Sequence, residues 1–588
     1  MSSKRIAIVL IGLAGTVGCS RNTVVSPPPD SSAALRAIAD EYFDQVYFRY
    51  APSNATSDGF HQYDTQLEDY SRAAVDRQTA DLQRFEARFD AIPAGQLDLT
   101  SQGDRELLLG NIHSTLLALN TIRLWEKNPD QYSSGISNAA FVLMERDFAS
   151  PDDRLRSLIA REKQMPAALE AAHQNLKNPP HIYTEIALEQ LPDIIAFFQS
   201  DVPKAFEQAR DPELKHEFAQ SNGAVITALK NYQSWLRNDV LSISHGDFRF
   251  GPDTFAKLLL YDEMVDTPLP RLLEIGYADL HQNQAEFNRI AHELEPGRKP
   301  REVLGELGGD HPAPDHLLES FHDTFEGLIR FIHEKHIVDI PSQVQPTLEN
   351  TPPFMRATTT ASMDTPGPFE KVSTKAYFNV TVPDAHDSKQ QMQELMAEFN
   401  RGTIISTAIH EAYPGHYVQF LWVPQAPTKV RKLLGASSNA EGWAHYCEQM
   451  MLDEGYGQPG TGARDVRDAK MIRLGQLQDA LLRDARFVVG IQMHTGNMTF
   501  NQAVKFFVDE GYQSPAGALV ESKRGTTDAT YLYYTLGKLE ILKLRADLKK
   551  KEGEEFSLER FHDDFLKQGF PPIKIVRRAL LGDTSPTL

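Results

Sequence analysis

The sequence predicts a mostly α protein, a large two-lobed body of many helices with a deep groove and one small β element. Three observations predict this fold class. Apolar residues recur at helical spacing from the start of the predicted fold, as at Leu35, Ile38 and Tyr42. Prolines lie at the ends of the amphipathic segments, as at Pro151 and Pro179. At 588 residues the chain is long enough for a large core and for more than one lobe.

The predicted helices follow one another over the first half of the chain. Residues 20–34 precede them, contain three consecutive prolines and are typical of a tether. We therefore assign residues 35–340 to a helical lobe. Its amphipathic segments cover residues 66–90, 101–126, 152–177, 182–208, 210–240, 269–295 and 314–338.

The pattern changes at residue 341, where several prolines interrupt the helices. Residues 375–382 are rich in aromatic and β-branched side chains, which predicts a strand. Helices are predicted again at 391–423, 438–454 and 466–497. Residues 341–588 are therefore predicted to form a catalytic lobe, with a small β element and the helices of a candidate metal site.

The N-terminus has the pattern of a targeting segment. Two basic residues precede an apolar run from Ile6 to Val17, which is too short for a permanent membrane helix. Thr16 to Cys19 resembles a bacterial lipobox, so residues 1–19 are predicted to be a signal peptide and Cys19 the lipidated residue. We expect an outer-membrane lipoprotein that faces the periplasm, with the membrane contacted only through the lipid anchor. The alternative is a secreted protein.

The charge and cysteine content argue against a nucleic-acid-binding protein and against a protein stabilised by disulfide bonds. The formal net charge of −20 argues against a nucleic-acid partner, which requires a basic surface. After Cys19 the only cysteine is Cys447, so the mature chain has no internal disulfide to stabilise it. Cys447 lies in an apolar helical stretch and is interpreted as a core residue.

The candidate metal site begins at His410, Glu411 and His416. Two histidines beside a glutamate are typical of zinc hydrolases, in which the histidines bind the metal and the glutamate transfers a proton. Here the histidines are six residues apart, which turns the second about 120° away from the first on a continuous helix. Because Pro414 lacks an N–H group, a break at residues 413–415 is predicted to return His416 to the metal. The alternative is a kinked helix with two unrelated histidines.

The stretch from His410 to Gln419 resembles the signature of the bacterial "domain of unknown function 885" family. That family resembles the helical zinc peptidases related to angiotensin-converting enzyme, thimet oligopeptidase and carboxypeptidase Taq. Their His-Glu-x-Gly-His motif is present here with Tyr-Pro inserted. The family usually has a further His where this chain has Tyr417. In such peptidases an edge strand near the site can pair with a bound peptide, so residues 375–382 form either that edge or a structural hairpin.

The resemblance implies a third metal ligand on the next helix. Residues 441–444 match the Glu-Gly-Trp-Ala block of the family, which makes Glu441 the expected ligand. His445 and Glu448 lie four and seven residues later on the same helical face, where they are expected to orient the ligands. His445 as the ligand, and Glu441 as an ordinary surface carboxylate, are the alternatives.

The C-terminal part supplies the remaining candidates. Tyr534 maps onto a family tyrosine three residues before a glycine, and its hydroxyl is expected to stabilise the oxyanion of the reaction. His494 and Arg524 are weaker candidates for the same role. A packed core tyrosine is the alternative for Tyr534, and ion pairing with carboxylates is the favoured interpretation of Arg473 and Arg483.

The expected function is that of a zinc-dependent metallopeptidase that hydrolyses peptides in the periplasm. Zinc held by His410, His416 and Glu441 would activate water, with Glu411 as the general base. That the cleaved bond is a peptide bond is implied only by the resemblance. Two alternatives stay open: a lipid-anchored protein that binds metal or peptide without turnover, and a zinc hydrolase of other amide bonds.

Overall fold

Helices build the first part of the chain almost completely. The computed structural model describes residues 30–351, 360–384 and 388–588, so the predicted signal peptide and Cys19 lie outside the described residues. The helices of this part are α1 (Ser31–Tyr42), α2 (Phe48–Tyr50), α3 (Pro52–Ser57), α4 (Arg72–Asp90), α5 (Leu99–Leu117), α6 (Leu124–Lys127), α7 (Asp130–Met144), α8 (Pro151–Glu162), α9 (Met165–Asn175), α10 (His181–Ala196), α11 (Val202–Ala205), α12 (Pro212–Trp235), α13 (Pro252–Glu263), α14 (Leu269–Leu294), α15 (Pro300–Leu307) and α16 (Leu317–Lys335).

The second part is also mostly helical, which confirms the predicted mostly α fold class. Its helices are α17 (Lys389–Glu398), α18 (Arg401–Glu411), α19 (His416–Trp422), α20 (Lys429–Leu433), α21 (Ser437–Asp453), α22 (Val466–His494), α23 (Phe500–Asp509), α24 (Pro515–Thr527), α25 (Tyr533–Glu552), α26 (Leu558–Leu566) and α27 (Ile573–Leu581). In the described part of the chain, no helix combines the length and the apolar character that crossing a bilayer requires.

Between α16 and α17 lies a small sheet of three strands. β1 (Thr347–Asn350), β2 (Ala361–Asp364) and β3 (Tyr377–Val380) are arranged in the order β1-β3-β2, with β1 parallel and β2 antiparallel to β3. The strand predicted at residues 375–382 is therefore confirmed, but it is the centre of the sheet and not its edge. Two short strands, β4 (Gln458–Pro459) and β5 (Gly462–Ala463), pair before α22.

Several predicted helices are shorter than expected or broken. The helix predicted at residues 101–126 ends before Arg123, which adopts the left-handed backbone conformation with φ 58°. The segment 152–177 divides into α8 and α9 around Gln164. The long helix expected at 391–423 is three helices, because Asn400 caps a new helix and the chain breaks again after Glu411. Amphipathic spacing continues across these breaks, so periodicity alone does not reveal them.

Helices from both sides of residue 340 share one core. Phe321, Phe325 and Leu328 of α16 are buried with Ile405 and Ile409 of α18. In the same way, α14 packs along α22. The site-bearing helix α18 is therefore held between elements from distant parts of the sequence. The division into two lobes at residue 340, and the groove between them, stay predictions.

Paired glycines bring the helices of the site into close contact. A Cβ atom at Gly442 of α21 would lie 2.5 Å from the Cα of Gly537 on α25. A Cβ atom at Gly475 of α22 would lie 2.8 Å from the Cα of Gly402 on α18. Side chains at these positions would push the helices apart, so the glycines set the spacing of the four helices.

We expect Gly537→Ala to destabilise the fold. Its added Cβ would lie 1.8 Å from the carbonyl oxygen of Ser438 and 2.8 Å from the Cα of Gly442, so the backbones must separate. The expected loss in the free energy of unfolding is about 1–3 kcal/mol, measured by denaturant titration. The matched control is Gly223→Ala in α12, where no described atom outside the adjoining backbone of that helix lies within 4 Å of the added Cβ. Alanine there should stabilise by up to about 1 kcal/mol. Equal stability of the two variants would contradict the close contact of α21 and α25.

Candidate metal centre

The break after α18 brings His416 back towards His410. The Gly415 amide donates to the carbonyl oxygen of Ile409 at 2.9 Å, and the indole Nε1 of Trp443 donates to the carbonyl oxygen of Pro414 at 2.9 Å. A Cβ atom at Gly415 would lie 1.8 Å from the carbonyl oxygen of His410, so only glycine allows this fold-back. The predicted break at residues 413–415 is therefore confirmed.

Two histidines and one glutamate come together at this break. The candidate ligand atoms of His410, His416 and Glu441 all lie within 4.8 Å of one another. Oε2 of Glu441 is 3.3 Å from Nε2 of His410 and 3.4 Å from Nε2 of His416. The two imidazole rings are nearly perpendicular, with their centroids 4.9 Å apart. Among the described residues, this is the group of histidine, cysteine and acidic side chains whose atoms are spaced for a metal ion.

Glu441 has a buried oxygen that the described protein does not satisfy. Its Oε2 lies within 3.4 Å of the Nε2 atoms of both imidazoles, yet it makes no hydrogen bond of good geometry with any described group. Burial alone would raise the pKa of Glu441, but His416 and His410 lower it well below its ordinary value. Two imidazole nitrogens and an ionised carboxylate oxygen aimed at one point form a donor set that suits zinc.

Glu448 fixes the orientation of His410 from behind. The Nδ1 atom of His410 lies 2.6 Å from Oε1 of Glu448, and the Nδ1 atom of His445 lies 3.1 Å from Oε2. Arg483 of α22 lies 3.0 Å from Oε1 of Glu448, the oxygen that also contacts His410. A histidine whose Nδ1 is held by a carboxylate presents its Nε2 for binding. His445 is therefore placed beside Glu448, and no described hydrogen bond or ion pair joins its side chain to Glu441 or His416.

The charges of this group shift the pKa values of its members. Burial alone would raise the pKa of Glu448, but Arg483 and the two histidines hold it well below its ordinary range. Burial alone would lower the pKa of His410, but the carboxylates of Glu441 and Glu448 raise it to about 9. In His445 burial prevails and lowers the pKa to about 4. Glu448 is therefore a fixed negative charge against which His410 is oriented.

Glu411 lies between the helix break and the sheet. Its Oε2 accepts a hydrogen bond from the backbone N–H of Met363, at 3.1 Å. Met363 belongs to β2, which pairs with β3 on one side only and is therefore an edge of the sheet. The edge strand that meets the candidate site is thus β2, not the predicted strand at residues 375–382. Sequence reasoning missed this contact because a backbone donor leaves no signal in the side-chain pattern.

Tyr534 lies over His410 within a group of arginines. The two rings are stacked with their centroids 6.3 Å apart. The hydroxyl oxygen of Tyr534 accepts a hydrogen bond from Arg524 at 3.3 Å. The guanidinium groups of Arg483 and Arg486 are 5.6 and 5.0 Å from the ring centre. Burial and the charge of Glu441 raise the pKa of Tyr534, so its hydroxyl keeps its proton. The structure therefore places Tyr534 and Arg524 beside the centre.

The arginines predicted to form ion pairs do so. Arg473 pairs with Asp453 at 2.5 Å, and Arg483 pairs with Glu448 as described above. Sequence reasoning missed that the Arg483 pair reaches the carboxylate behind His410. Long helices such as α22 carry several arginines, and no local spacing tells which of them faces the centre.

Tyr417 belongs to the core next to the centre. Its ring packs edge-on against Tyr413 at 5.7 Å, and its hydroxyl donates to the carbonyl oxygen of Val344 at 2.5 Å. The side chain is 4% exposed. These contacts give the residue at this position a structural role in this chain.

His494 lies in an aromatic pocket. It is surrounded by Phe248, Phe250 and Phe255, and its Nε2–H donates to the carbonyl oxygen of Gly525 at 2.7 Å. Burial lowers the pKa of this imidazole to about 4. No described contact joins His494 to the three candidate ligands. Its catalytic role stays a prediction that no described contact supports.

The lowered pKa of His494 predicts an acid-dependent loss of stability. The unfolded chain binds the proton near pH 6.5, whereas the folded chain binds it only near pH 4. Stability is therefore lost as the pH falls from 6.5 to 4, by up to about 3 kcal/mol for this one group. In His494→Gln the free energy of unfolding should decrease less between pH 6.5 and pH 4, by up to about 3 kcal/mol. The exposed His322, changed to glutamine, is the control and should leave the pH dependence unchanged. An unaltered slope in His494→Gln would contradict the neutral state of this histidine.

The fold and the site together define a mostly helical protein with a two-histidine, one-carboxylate centre. The chain belongs to the family described as "Bacterial protein of unknown function (DUF885)", whose model matches residues 52–580. No curated protein matches the chain.

Two solved structures share the fold over nearly the whole chain. One is described as "a putative lipoprotein of unknown function from Shewanella oneidensis"; it is 25% identical, with a TM-score of 0.78, over 93% of this chain and 99% of its own. The other is described as "the putative lipoprotein from Colwellia psychrerythraea"; it is 17% identical, also with a TM-score of 0.78, over 94% of this chain and 99% of its own. At that identity the second structure supports the fold alone.

Proposed function

We propose that this protein is a zinc-dependent metallopeptidase. The observation that carries the proposal is the convergence of His410, His416 and Glu441 within 4.8 Å, with Glu411 next to His410 in the chain. The buried, unsatisfied Oε2 of Glu441 among the described groups fits a cation at this point. Bound zinc supplies a Lewis acid and lowers the pKa of water. The three side chains would hold it from three helices, His410 on α18, His416 on α19 and Glu441 on α21.

The residues around the centre have separate tasks in such a reaction. Glu411 accepts a proton from the attacking water and returns it to the leaving amine. Met363 holds one oxygen of this carboxylate through its N–H group. Tyr534 keeps its proton and donates a hydrogen bond to the oxyanion that forms at the scissile carbonyl. Arg524 holds the tyrosine hydroxyl and adds positive charge nearby.

We also propose that the mature chain is anchored by a lipid at Cys19. The lipobox-like residues 16–19 support this, as do the two similar structures described as putative lipoproteins. An outer-membrane lipoprotein facing the periplasm would meet peptides in that compartment, whereas cleavage without lipidation would release a secreted protein.

The zinc content of the purified protein tests the centre. We expect about one zinc per chain in the wild type and a loss of zinc in His416→Ala, because two ligands alone bind weakly. His322→Ala, at an exposed histidine, is the control and should keep the metal. Elemental analysis after dialysis measures all three. A wild type that takes up no zinc when the ion is supplied would overturn the proposed chemistry.

Glu411→Gln separates an enzyme from a binding protein. Glutamine can still accept from Met363 but cannot take a proton from water, so turnover of peptides should fall about 10²–10⁴-fold with the zinc content unchanged. Glu334→Gln, at an exposed carboxylate of α16, is the matched control. Peptide-library digestion followed by mass spectrometry gives the rates. Peptide binding without any turnover in the wild type would favour the alternative of a lipid-anchored binding protein.

A further inference from the structure

The three-stranded sheet has one apolar face and one polar face. Because side chains alternate along a strand, Phe378 and Val380 share the face that is buried against α16 and α18. The opposite face carries Glu349, Asn379 and Ser362, which form one row across the sheet. The register pairs Glu349 with Asn379 and Asn379 with Ser362.

A second row of polar groups lies beside the first. Asp364 of β2 pairs in register with Tyr377 of β3, one step along the same face. Residues that follow α7 pack against it: Arg146 donates to Asp364 at 2.5 Å and stands 5.8 Å from the centre of the Tyr377 ring. The carboxyl group of Glu145 lies near that of Asp364, and the two groups interact electrostatically. The polar face thus carries the carboxyl groups of Glu349 and Asp364, and Glu145 and Arg146 pack beside Asp364.

The polar face has acceptors that no described donor satisfies. Asn379 is 4% exposed, and its Oδ1 has no hydrogen-bond partner among the described residues. The same holds for Oγ of the neighbouring Ser362. Buried acceptors are normally matched by a donor. Burial raises the pKa of Glu145 to about 9 and also raises that of Glu349, and the charge of Asp364 contributes to both shifts. Oδ1 of Asn379 and Oγ of Ser362 therefore lack a donor, because the described hydrogen bonds of Arg146 go to Asp364 and to the carbonyl oxygen of Lys375.

We propose that this polar face is a subsite for a primary ammonium group of a peptide. An ammonium group offers three donors and one charge, which match Oδ1 of Asn379, Oγ of Ser362 and the carboxylate of Glu349. A metal ion fits less well, because the oxygens of this face do not form a group spaced for an ion among the described residues. The ammonium group belongs either to the N-terminus of the peptide or to a lysine side chain.

The subsite lies next to the general base. Met363 stands between Ser362 and Asp364 in β2, and its N–H donates to Glu411. One residue of a strand advances about 3.3 Å. Ser362 and Asp364 of the polar face are therefore each one residue along β2 from Met363, which contacts Glu411. This inference rests on the proposed function for its role, since it makes the subsite select peptides with an ammonium group near the scissile bond.

The test measures binding and hydrolysis separately. The probes are alanine pentapeptides with one lysine at each position in turn, and matched peptides with norleucine in place of lysine. Each is used with a free and with an acetylated N-terminus, which distinguishes the two sources of the ammonium group. Calorimetry on zinc-loaded Glu411→Gln protein gives affinities, and wild-type protein gives rates. We expect peptides with a suitably placed ammonium group to bind about 10–100-fold more tightly.

Changes in the polar face should remove this preference. Glu349→Gln and Ser362→Ala, each added to the Glu411→Gln protein, should bring the affinities of lysine and norleucine peptides, or of free and acetylated peptides, close together. Glu334→Gln is the control and should retain the preference. Circular dichroism and zinc content show whether each variant is folded and loaded. If Glu349→Gln fails to fold, Ser362→Ala decides the question alone.

The failures of the two proposals are distinguishable. Hydrolysis by the wild type without any preference for an ammonium group overturns the subsite and leaves the peptidase. A preference that persists in both face variants also overturns the subsite. Binding with a preference that the variants abolish, but without hydrolysis by the wild type, supports the subsite and overturns the peptidase. A protein that binds none of the peptides overturns the subsite.

Discussion

The centre depends on the close approach of Gly415 to the last turn of α18. Its amide hydrogen bonds to Ile409, and its Cα lies so near the carbonyl of His410 that a methyl group would not fit. This single contact turns the chain so that two histidines six residues apart face one carboxylate. Trp443 then fixes the break from α21, the same helix that carries Glu441. The geometry of the three candidate ligands is therefore decided by backbone contacts, and a larger residue at position 415 would separate them even if every ligand were retained.

Much of this centre could be predicted from the sequence, for identifiable reasons. Pro414 lacks an N–H group, so a break in the helix followed from covalent structure, and the spacing of Glu441, His445 and Glu448 predicted a shared helical face. The direction of the fold-back could not be predicted, because it depends on a hydrogen bond from a tryptophan 29 residues further along the chain. The partner of Glu448 on α22 could not be predicted either, since it depends on how two helices pack. Long-range packing, not local propensity, supplies this information.

The small sheet shows where sequence patterns mislead. The strand prediction for residues 375–382 is correct because this segment is rich in aromatic and β-branched residues, and β3 has one apolar side. Its neighbours β1 and β2 are four residues long and mix polar with apolar side chains, so neither has a distinct strand pattern. The strand with the strong pattern is the central one, because a strand covered on both edges is the most buried. The strand that contacts Glu411 is the weak one, and polar residues at an edge strand are compatible with contacts to a ligand.

A buried ion pair and buried hydrogen bonds behind the centre hold its helices together through the protein's own groups. Lys538 of α25 pairs with Asp279 of α14 at 2.6 Å, and Asp484 of α22 accepts from Asn283 at 2.7 Å and from Thr535 at 2.8 Å. Removing one partner of a buried ion pair leaves the other charge buried and unpaired. These contacts therefore favour a single arrangement of the helices. Small zinc domains need their ion in order to fold, whereas here a large apolar core and these pairs hold the ligands in place. The variant His416→Ala should therefore stay folded, because the contacts that position His410 lie in the protein itself.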